Sequence, residues 1–290
     1  MIAIYARTTN ENITQDVRKL LLRIVGTGMG IVIYEPYYRF LKQKLDLGKD
    51  IQTFKNHKEL IKKAKYLISL GGDGTLLQTI RLVRDSGIPV LGVNTGRLGF
   101  LANASREDID QVLDALVTKK FKLDKRALLR LETKSGLFGD ENFALNEFTI
   151  VKKDPTMMTI HAYIDGQFLN SYWADGLIVS TPTGSTAYSL SCGGPIVVPD
   201  AKNFIITPIA PHNLNVRPIV IADNETLTLK IEGRSNTYLV SLDSRSETVD
   251  PTVEFTIRKE DFYINLIRFE DHNFFNTIRG KLMWGMDKRN

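Results

Sequence analysis

Short apolar runs alternate with segments of helical period through the first third of the chain. "IAIYA" (residues 2–6), "GIVIY" (30–34), "YLISL" (66–70) and "IPVLGVN" (88–94) have the length and apolar continuity of buried strands. Between them, "ITQDVRKLLLRIV" (13–25), "HKELIKKA" (57–64) and "TLLQTIRLVRDSG" (75–87) repeat their apolar residues at helical spacing. Strands separated by helices imply a parallel sheet with helices packed on it. One more helix follows, "REDIDQVLDALVTKK" (106–120), with Ser105 as its expected N-cap and Asp108 three residues on. From residue 121 to 269 the period changes to that of strands, and "IDGQ" (164–167) carries an Asp-Gly hairpin turn. The tail "HNFFNTIRGKLMWG" (272–285) returns to helical period. The expected fold is therefore an α/β N-terminal domain with a parallel sheet, residues 1–122, and a β-rich, sandwich-like C-terminal domain, residues 123–270. A helix over 271–285 is expected to pack back on the first domain.

Composition narrows the function classes. The chain has 290 residues, 43% of them hydrophobic, enough for one or two cores and too many for a disordered chain. A net charge of +5 is small and scattered, which suits an anionic small substrate and gives no reason to expect nucleic acid. The single cysteine, Cys192, excludes an internal disulfide framework and suggests a reducing compartment. "MIAIYARTTNENI" lacks the segments of a signal peptide, and no run reaches the roughly 18 apolar residues of a membrane span. A cytoplasmic protein without a membrane partner is expected.

Two glycine clusters differ in context. Gly26, Gly28 and Gly30 follow a helix and precede a strand, the reverse of a dinucleotide fingerprint, and read as helix-ending residues. "GKD" at Gly48 lacks the upstream glycine and the hydroxyl residue of a Walker sequence. "GGDGT" (71–75) sits where a parallel strand ends and a helix begins, at the sheet edge where ligands collect. Gly71, Gly72 and Gly74 allow a sharp turn and close approach of a phosphate to the backbone, and Thr75 lies in the first turn of the helix. Asp73 would project into that site as a general base or near a magnesium ion; the simpler alternative is an Asp that caps the helix.

In the second half, "DGLIVSTPTGSTAYSLS" (175–191) is an apolar strand, a turn rich in hydroxyls, and a short helix opened by Thr186, Ala187 and Tyr188. Thr183 and its neighbours can bond ribose hydroxyls and phosphates, while Tyr188 offers an aromatic face to a base. Asn146 and Glu147 interrupt an otherwise apolar strand, where polar groups must either find partners or line a pocket. Four scattered histidines show no metal-ligand spacing, so His212 reads as structural and no protein-held metal is expected.

"GGDGT" resembles the signature shared by phosphofructokinases, diacylglycerol- and sphingosine-type lipid kinases, and NAD kinases. "ALNEFTI" (144–150) and "ADGLIVSTPTGSTAYSLSCGGPIV" (174–197) are similar to the NAD kinase pattern in particular, as are "NTGRLGFL" (94–101), "PIAPHNLNVRPIVI" (208–221) and "KLMWG" (281–285). The resemblance spans nearly the whole chain. It implies ATP-dependent phosphorylation of the 2′-hydroxyl of the adenosine ribose of NAD, with magnesium arriving on ATP near Asp73. It also implies NAD contacts at Gly74, Asn146, Glu147, Thr183, Thr186, Ala187 and Tyr188, with Asn146 near the adenine and Glu147 near a ribose. The carboxylate matching Asp175 meets the nicotinamide end, largely of NAD bound by a neighbouring subunit, so a homodimer or homotetramer is implied. Arg97 stands where many relatives carry another polar residue. A lipid kinase or a non-catalytic NAD sensor are the alternatives: the first should show an acyl-binding surface and a different second signature, and the second is disfavoured by Asp73.

Overall fold

The computed structural model describes residues 1–7, 14–47, 51–96, 99–102, 104–105, 107–269 and 273–284. Gly48, Arg97, Arg106 and Gly285, each within a segment singled out above, lie outside the described residues. The chain divides into two compact units, Met1–Lys125 with Ile264–Asn290, and Arg126–Tyr263.

In the first unit, β1 (Ile2–Ala6), β2 (Ile31–Tyr34), β3 (Gln52–Phe54), β4 (Tyr66–Leu70) and β5 (Val90–Val93) form a parallel sheet in the order β3-β2-β1-β4-β5. Helices α1 (Thr14–Gly26), α2 (Glu35–Lys42), α3 (His57–Lys63), α4 (Asp73–Val83) and α5 (Ile109–Thr118) connect or follow these strands. Every residue of β1 and β5 is buried, because helices on both faces leave a parallel strand no solvated side. Ile4, Ile33 and Ile68 meet Leu20 and Ile24 of α1 and Leu116 of α5 in one core, each such burial being worth about 1.5–3 kcal/mol. The short α2 and β3 are not among the elements expected above. Helix α2 opens directly from β2 with Pro36 in its first turn, and it buries only Tyr37 and Leu41. The expected cap of α5 forms differently: Asp108 Oδ2 accepts from both the N–H and the hydroxyl of Ser105, and the helix starts at Ile109. Gly28, at φ 74°, follows the end of α1, as a helix-ending glycine does.

The second unit is built of antiparallel strands: β6 (Lys122–Glu132, from residue 126), β7 (Phe143–Ala144), β8 (Glu147–Lys152), β9 (Met158–Ile164), β10 (Gln167–Trp173), β11 (Gly176–Ser180), β12 (Asn203–Ile209), β13 (Ile219–Ala222), β14 (Leu227–Gly233), β15 (Tyr238–Leu242), β16 (Arg245–Val249) and β17 (Glu254–Arg268). One sheet runs β10-β9-β14-β17 and the other β13-β12-β11-β8-β15-β16. Their inner faces share one core containing Phe148, Leu177, Phe204, Leu229, Tyr238 and Phe255. Strand β9 alternates buried and half-buried residues, as a strand with one wet face must. The turn between β9 and β10 has Asp165 at φ 48° and Gly166 at φ 81°, both positive as a two-residue hairpin requires. Helix α6 (Tyr188–Ser191) is a single turn, and α7 (Phe274–Leu282) belongs to the first unit, as do residues 264–268 of β17, which continue its sheet through a parallel pairing of Leu266 with Val90.

Candidate active site

In the first unit the chain runs outward from β1 through β2 to β3 on one side and through β4 to β5 on the other. The switch point therefore falls between the carboxyl ends of β1 and β4, where open α/β sheets place their ligands. "GGDGT" occupies that position. Gly71, at φ 148°, leaves β4 with its N–H bonded to Val93 O at 3.0 Å, and Gly72 is the N-cap of α4. Gly71 is tied to this shape by Thr75, whose side chain is buried against it and would meet any β-carbon there at 2.5 Å. Gly72 and Gly74 differ: a β-carbon on either would meet nothing within 4 Å. The space beside these two is open, and first-turn N–H groups of α4 border it. Arg7 Nη2 donates to Gly74 O at 3.2 Å and brings a cation to the same turn.

Asp73 is the first helical residue and makes no capping bond to α4. Its carboxylate accepts backbone N–H bonds from Phe100 at 2.7 Å, Leu101 at 3.1 Å and Ala102 at 3.2 Å. Gly99 makes this cradle possible, since a β-carbon there would lie 1.7 Å from Asp73 Oδ1. The carboxylate is thus fixed by an adjacent loop and stays partly exposed, an arrangement a helix cap does not need. Oδ2 carries one of these bonds and Oδ1 two, which leaves Oδ2 the freer oxygen.

In the second unit, Glu147 opens β8 opposite Ser180, the last residue of β11. The hydroxyl-rich turn therefore begins beside the Asn146–Glu147 pair. Thr181 N–H donates to Asn146 O at 2.8 Å and its hydroxyl to Leu145 O at 2.5 Å. Several hydroxyls in and beside the turn bond within the protein. Ser185 Oγ donates to Pro182 O and accepts from Val197 N–H, and Ser189 pairs with Thr207 at 2.8 Å. Thr186 Oγ1 donates to Thr183 O at 3.3 Å and remains partly exposed. Thr183 is buried and accepts from Arg126 Nη1 at 3.4 Å. Ala187 is half-buried, and Tyr188 is 40% exposed, its ring at the surface.

Asn146 and Glu147 are 8% and 9% exposed. The Tyr188 backbone N–H reaches the Glu147 carboxyl, while Glu147 Oε2 has no hydrogen-bond partner among the described residues. Burial, reinforced by the neighbouring Asp243 charge, pushes Glu147 up to about 8. Asp243 sits at φ 51° in the β15–β16 turn and accepts from the N–H groups of Leu145, Asn146 and Glu147 at 2.9, 2.8 and 3.2 Å. Burial raises Asp243 as well, opposed by those three donors and by Arg245. Asp243 and Arg126 both escape a reading of the sequence. An Asp in a hairpin turn and an Arg in a strand are ordinary, and only the fold brings them to residues 145–147 and to Thr183.

A stability consequence follows. Glu147 stands at 4.5 when exposed and near 8 when folded, so its contribution is complete below pH 4.5 and is lost as pH rises towards 8. Glu147→Gln should flatten the fall in melting temperature across that window, measured by calorimetry without ligand; an unchanged slope would show that Glu147 does not titrate there.

Asp175 is placed apart from these residues. It precedes β11, whose other end leads into the Thr183 turn, about 16 Å away along a strand of this length. Lys152 Nζ lies 2.6 Å from Asp175 Oδ1, and His212 Nε2 lies 3.7 Å from the same oxygen. The second unit thus gathers Asn146, Glu147, Thr183, Thr186, Ala187 and Tyr188 at one end of a sheet and Asp175 at the other. Among the described residues no three His, Cys, Asp or Glu side chains are grouped to hold a metal, and no helix is long and apolar enough to cross a membrane.

A parallel α/β unit with Gly-Gly-Asp-Gly-Thr at its switch point is thus carried with an antiparallel β unit in one chain. Models of the ATP-NAD kinase N-terminal domain and C-terminal domain match residues 7–121 and 145–269. The chain is 47% identical over 292 aligned positions to the NAD kinase of Cytophaga hutchinsonii, covering 100% of both, and 42% identical to that of Bacteroides fragilis, covering 99% of both. It belongs to the ATP-NAD kinase family. Among solved structures it is similar to an NAD kinase from Archaeoglobus fulgidus in complex with ATP (TM-score 0.72, 26% identity, 98% of this chain and 99% of that one). The fold also matches yeast NADH kinase complexed with NADH (TM-score 0.88, 23% identity, 99% and 88%).

Proposed function

We propose that the chain transfers the γ-phosphoryl group of ATP to the 2′-hydroxyl of the adenosine ribose of NAD, giving NADP and ADP, with Asp73 as the proton acceptor. The bond formed joins the ribose oxygen to the γ-phosphorus. The bond broken is that from the γ-phosphorus to the β–γ bridging oxygen, which keeps the electron pair on ADP, and the hydroxyl proton passes to Asp73 Oδ2. Magnesium enters as part of the ATP substrate and offsets phosphate charge. The open flank of Gly72 and Gly74, with the α4 amides, is where phosphate oxygens would lie, and Thr75 shapes the turn by packing under Gly71.

The observation that carries the reading is Glu147. An oxygen this deeply buried and without a partner calls for a hydrogen-bonding group, and a ribose hydroxyl, which can donate or accept, supplies one. Asn146 beside it would meet the adenine, with Ala187 and Thr186 bordering the nucleoside and the Tyr188 ring available for stacking. Thr183 acts from beneath, as the buried support of the turn. The first unit thereby serves as the phosphate-handling domain and the second as the NAD-binding domain.

Asp175, meeting the nicotinamide end, completes the site from a second copy of the chain in a homodimer or homotetramer. Its separation from Glu147 along β11 supports this reading, and the enzyme is taken to act in the cytoplasm. Incubating the pure protein with ATP, magnesium and NAD should yield NADP, read by an NADP-specific dehydrogenase, and light scattering should give two or four chain masses. Phosphorylation of diacylglycerol with no NADP formed would overturn the assignment, and a monomer at assay concentration would overturn the shared site.

A further inference from the structure

Asp175 is held between Lys152 and His212. Lys152 Nζ lies 2.6 Å from Oδ1, with the lysine side chain 20% exposed and the aspartate 36%. Their backbones are joined too, Lys152 N–H donating to Asp175 O at 3.0 Å. His212 Nε2 approaches the same Oδ1 at 3.7 Å; its ring lies 5.6 Å from the Trp173 ring, and its backbone N–H donates to Trp173 O. The carboxylate is therefore presented as one half of an ion pair, locked to the lysine by both side chain and main chain.

The nicotinamide ring carries a positive charge in NAD and none in NADH. A lone carboxylate facing it would favour the oxidised form by Coulomb attraction. A carboxylate neutralised at 2.6 Å offers chiefly a hydrogen-bond acceptor, which the carboxamide of either form satisfies equally. Resting on the placement of Asp175 at the nicotinamide end, we propose that Lys152 is a specificity-determining residue that cancels the charge of Asp175 and opens the enzyme to NADH as well as NAD. Lys152 acts through Asp175 and is a positioning residue for it.

The test uses the full-length enzyme with ATP and magnesium at low ionic strength, resolving NADP and NADPH chromatographically. The parent should show KM values for NAD and NADH within about threefold of each other, since a partly exposed charge interaction shifts affinity by about fivefold at most. Lys152→Met should lower the KM for NAD relative to NADH by roughly fivefold with kcat little changed, and Lys152→Arg should keep the parent ratio. Should Lys152→Met not fold, Lys152→Gln is read the same way, and a strong preference of the parent for NAD would overturn the proposal without any variant. An unchanged ratio in Lys152→Met, with Asp175→Asn raising both KM values, would leave Asp175 at the nicotinamide end and make Lys152 merely structural. If Asp175→Asn moves neither KM, the placement of Asp175 falls, and the role of Lys152 with it.

Discussion

Asp73→Asn is expected to lower turnover by about 10²–10⁴-fold, the usual cost of losing a general base, while NAD affinity stays close to that of the parent. An amide cannot take up the hydroxyl proton. The substitution also disturbs the cradle, because the Phe100, Leu101 and Ala102 N–H groups all point at the carboxylate and an Asn side chain offers only one accepting oxygen. If that oxygen serves Leu101 and Ala102, the amide nitrogen faces the Phe100 N–H, a donor against a donor. A second route to the same loss keeps the carboxylate. Gly99→Ala would put a β-carbon 1.7 Å from Oδ1, so either Asp73 or the loop must move. If both variants bind NAD and lose rate, the position of the carboxylate matters as well as its presence. Near-parent turnover by Asp73→Asn, with intact NAD affinity, would reduce Asp73 to a brace for residues 100–102.

How far the site is legible in the sequence depends on what kind of irregularity each residue makes. Asp73 stands out because three glycines around one carboxylate at a strand-to-helix junction have no simple structural use, and the position at the sheet's switch point accords with that. Asn146 and Glu147 stand out because polar residues break an apolar run, and they are indeed buried. Asp243 leaves no such mark, since a turn between two strands is where an Asp is ordinarily found. Its three bonds to residues nearly a hundred positions earlier depend on β15 pairing with β8, a long-range register that no local pattern carries. The hydroxyls of "STPTGST" are conspicuous, yet composition cannot tell a hydroxyl facing a ligand from one closing its own turn. Burial decides that: Ser185 is fully buried and bonds Pro182 O within the turn. Helix α2 escapes notice for a different reason: it has only eight residues and opens directly from β2, so its apolar residues run on from a strand without a break.

Gly184→Ala should be the most damaging single methyl group in the second unit's site. The turn lies so close to the Asn146–Glu147 segment that a β-carbon at residue 184 would fall 2.2 Å from Asn146 O and 2.6 Å from its carbonyl carbon. Both are backbone atoms, so no rotamer change relieves the overlap, and the two segments must separate. That separation strains the Thr181 N–H to Asn146 O bond and shifts Glu147 relative to Tyr188, the geometry on which ribose and base recognition rests. Overpacking of this kind costs about 1–3 kcal/mol, and displacing a substrate-positioning group by about 1 Å costs on the order of 10²-fold in rate. The expected result is a kcat/KM for NAD lower by roughly 10²-fold, with a melting temperature a few degrees below the parent's. Gly74→Ala makes the comparison informative, because nothing of the protein lies within 4 Å of the added methyl. It should leave the melting temperature unchanged, so any loss of activity there reports a clash with bound substrate. Parent-like kinetics for Gly184→Ala would mean that the Thr183 turn and the Asn146–Glu147 pair do not act as one NAD-binding surface.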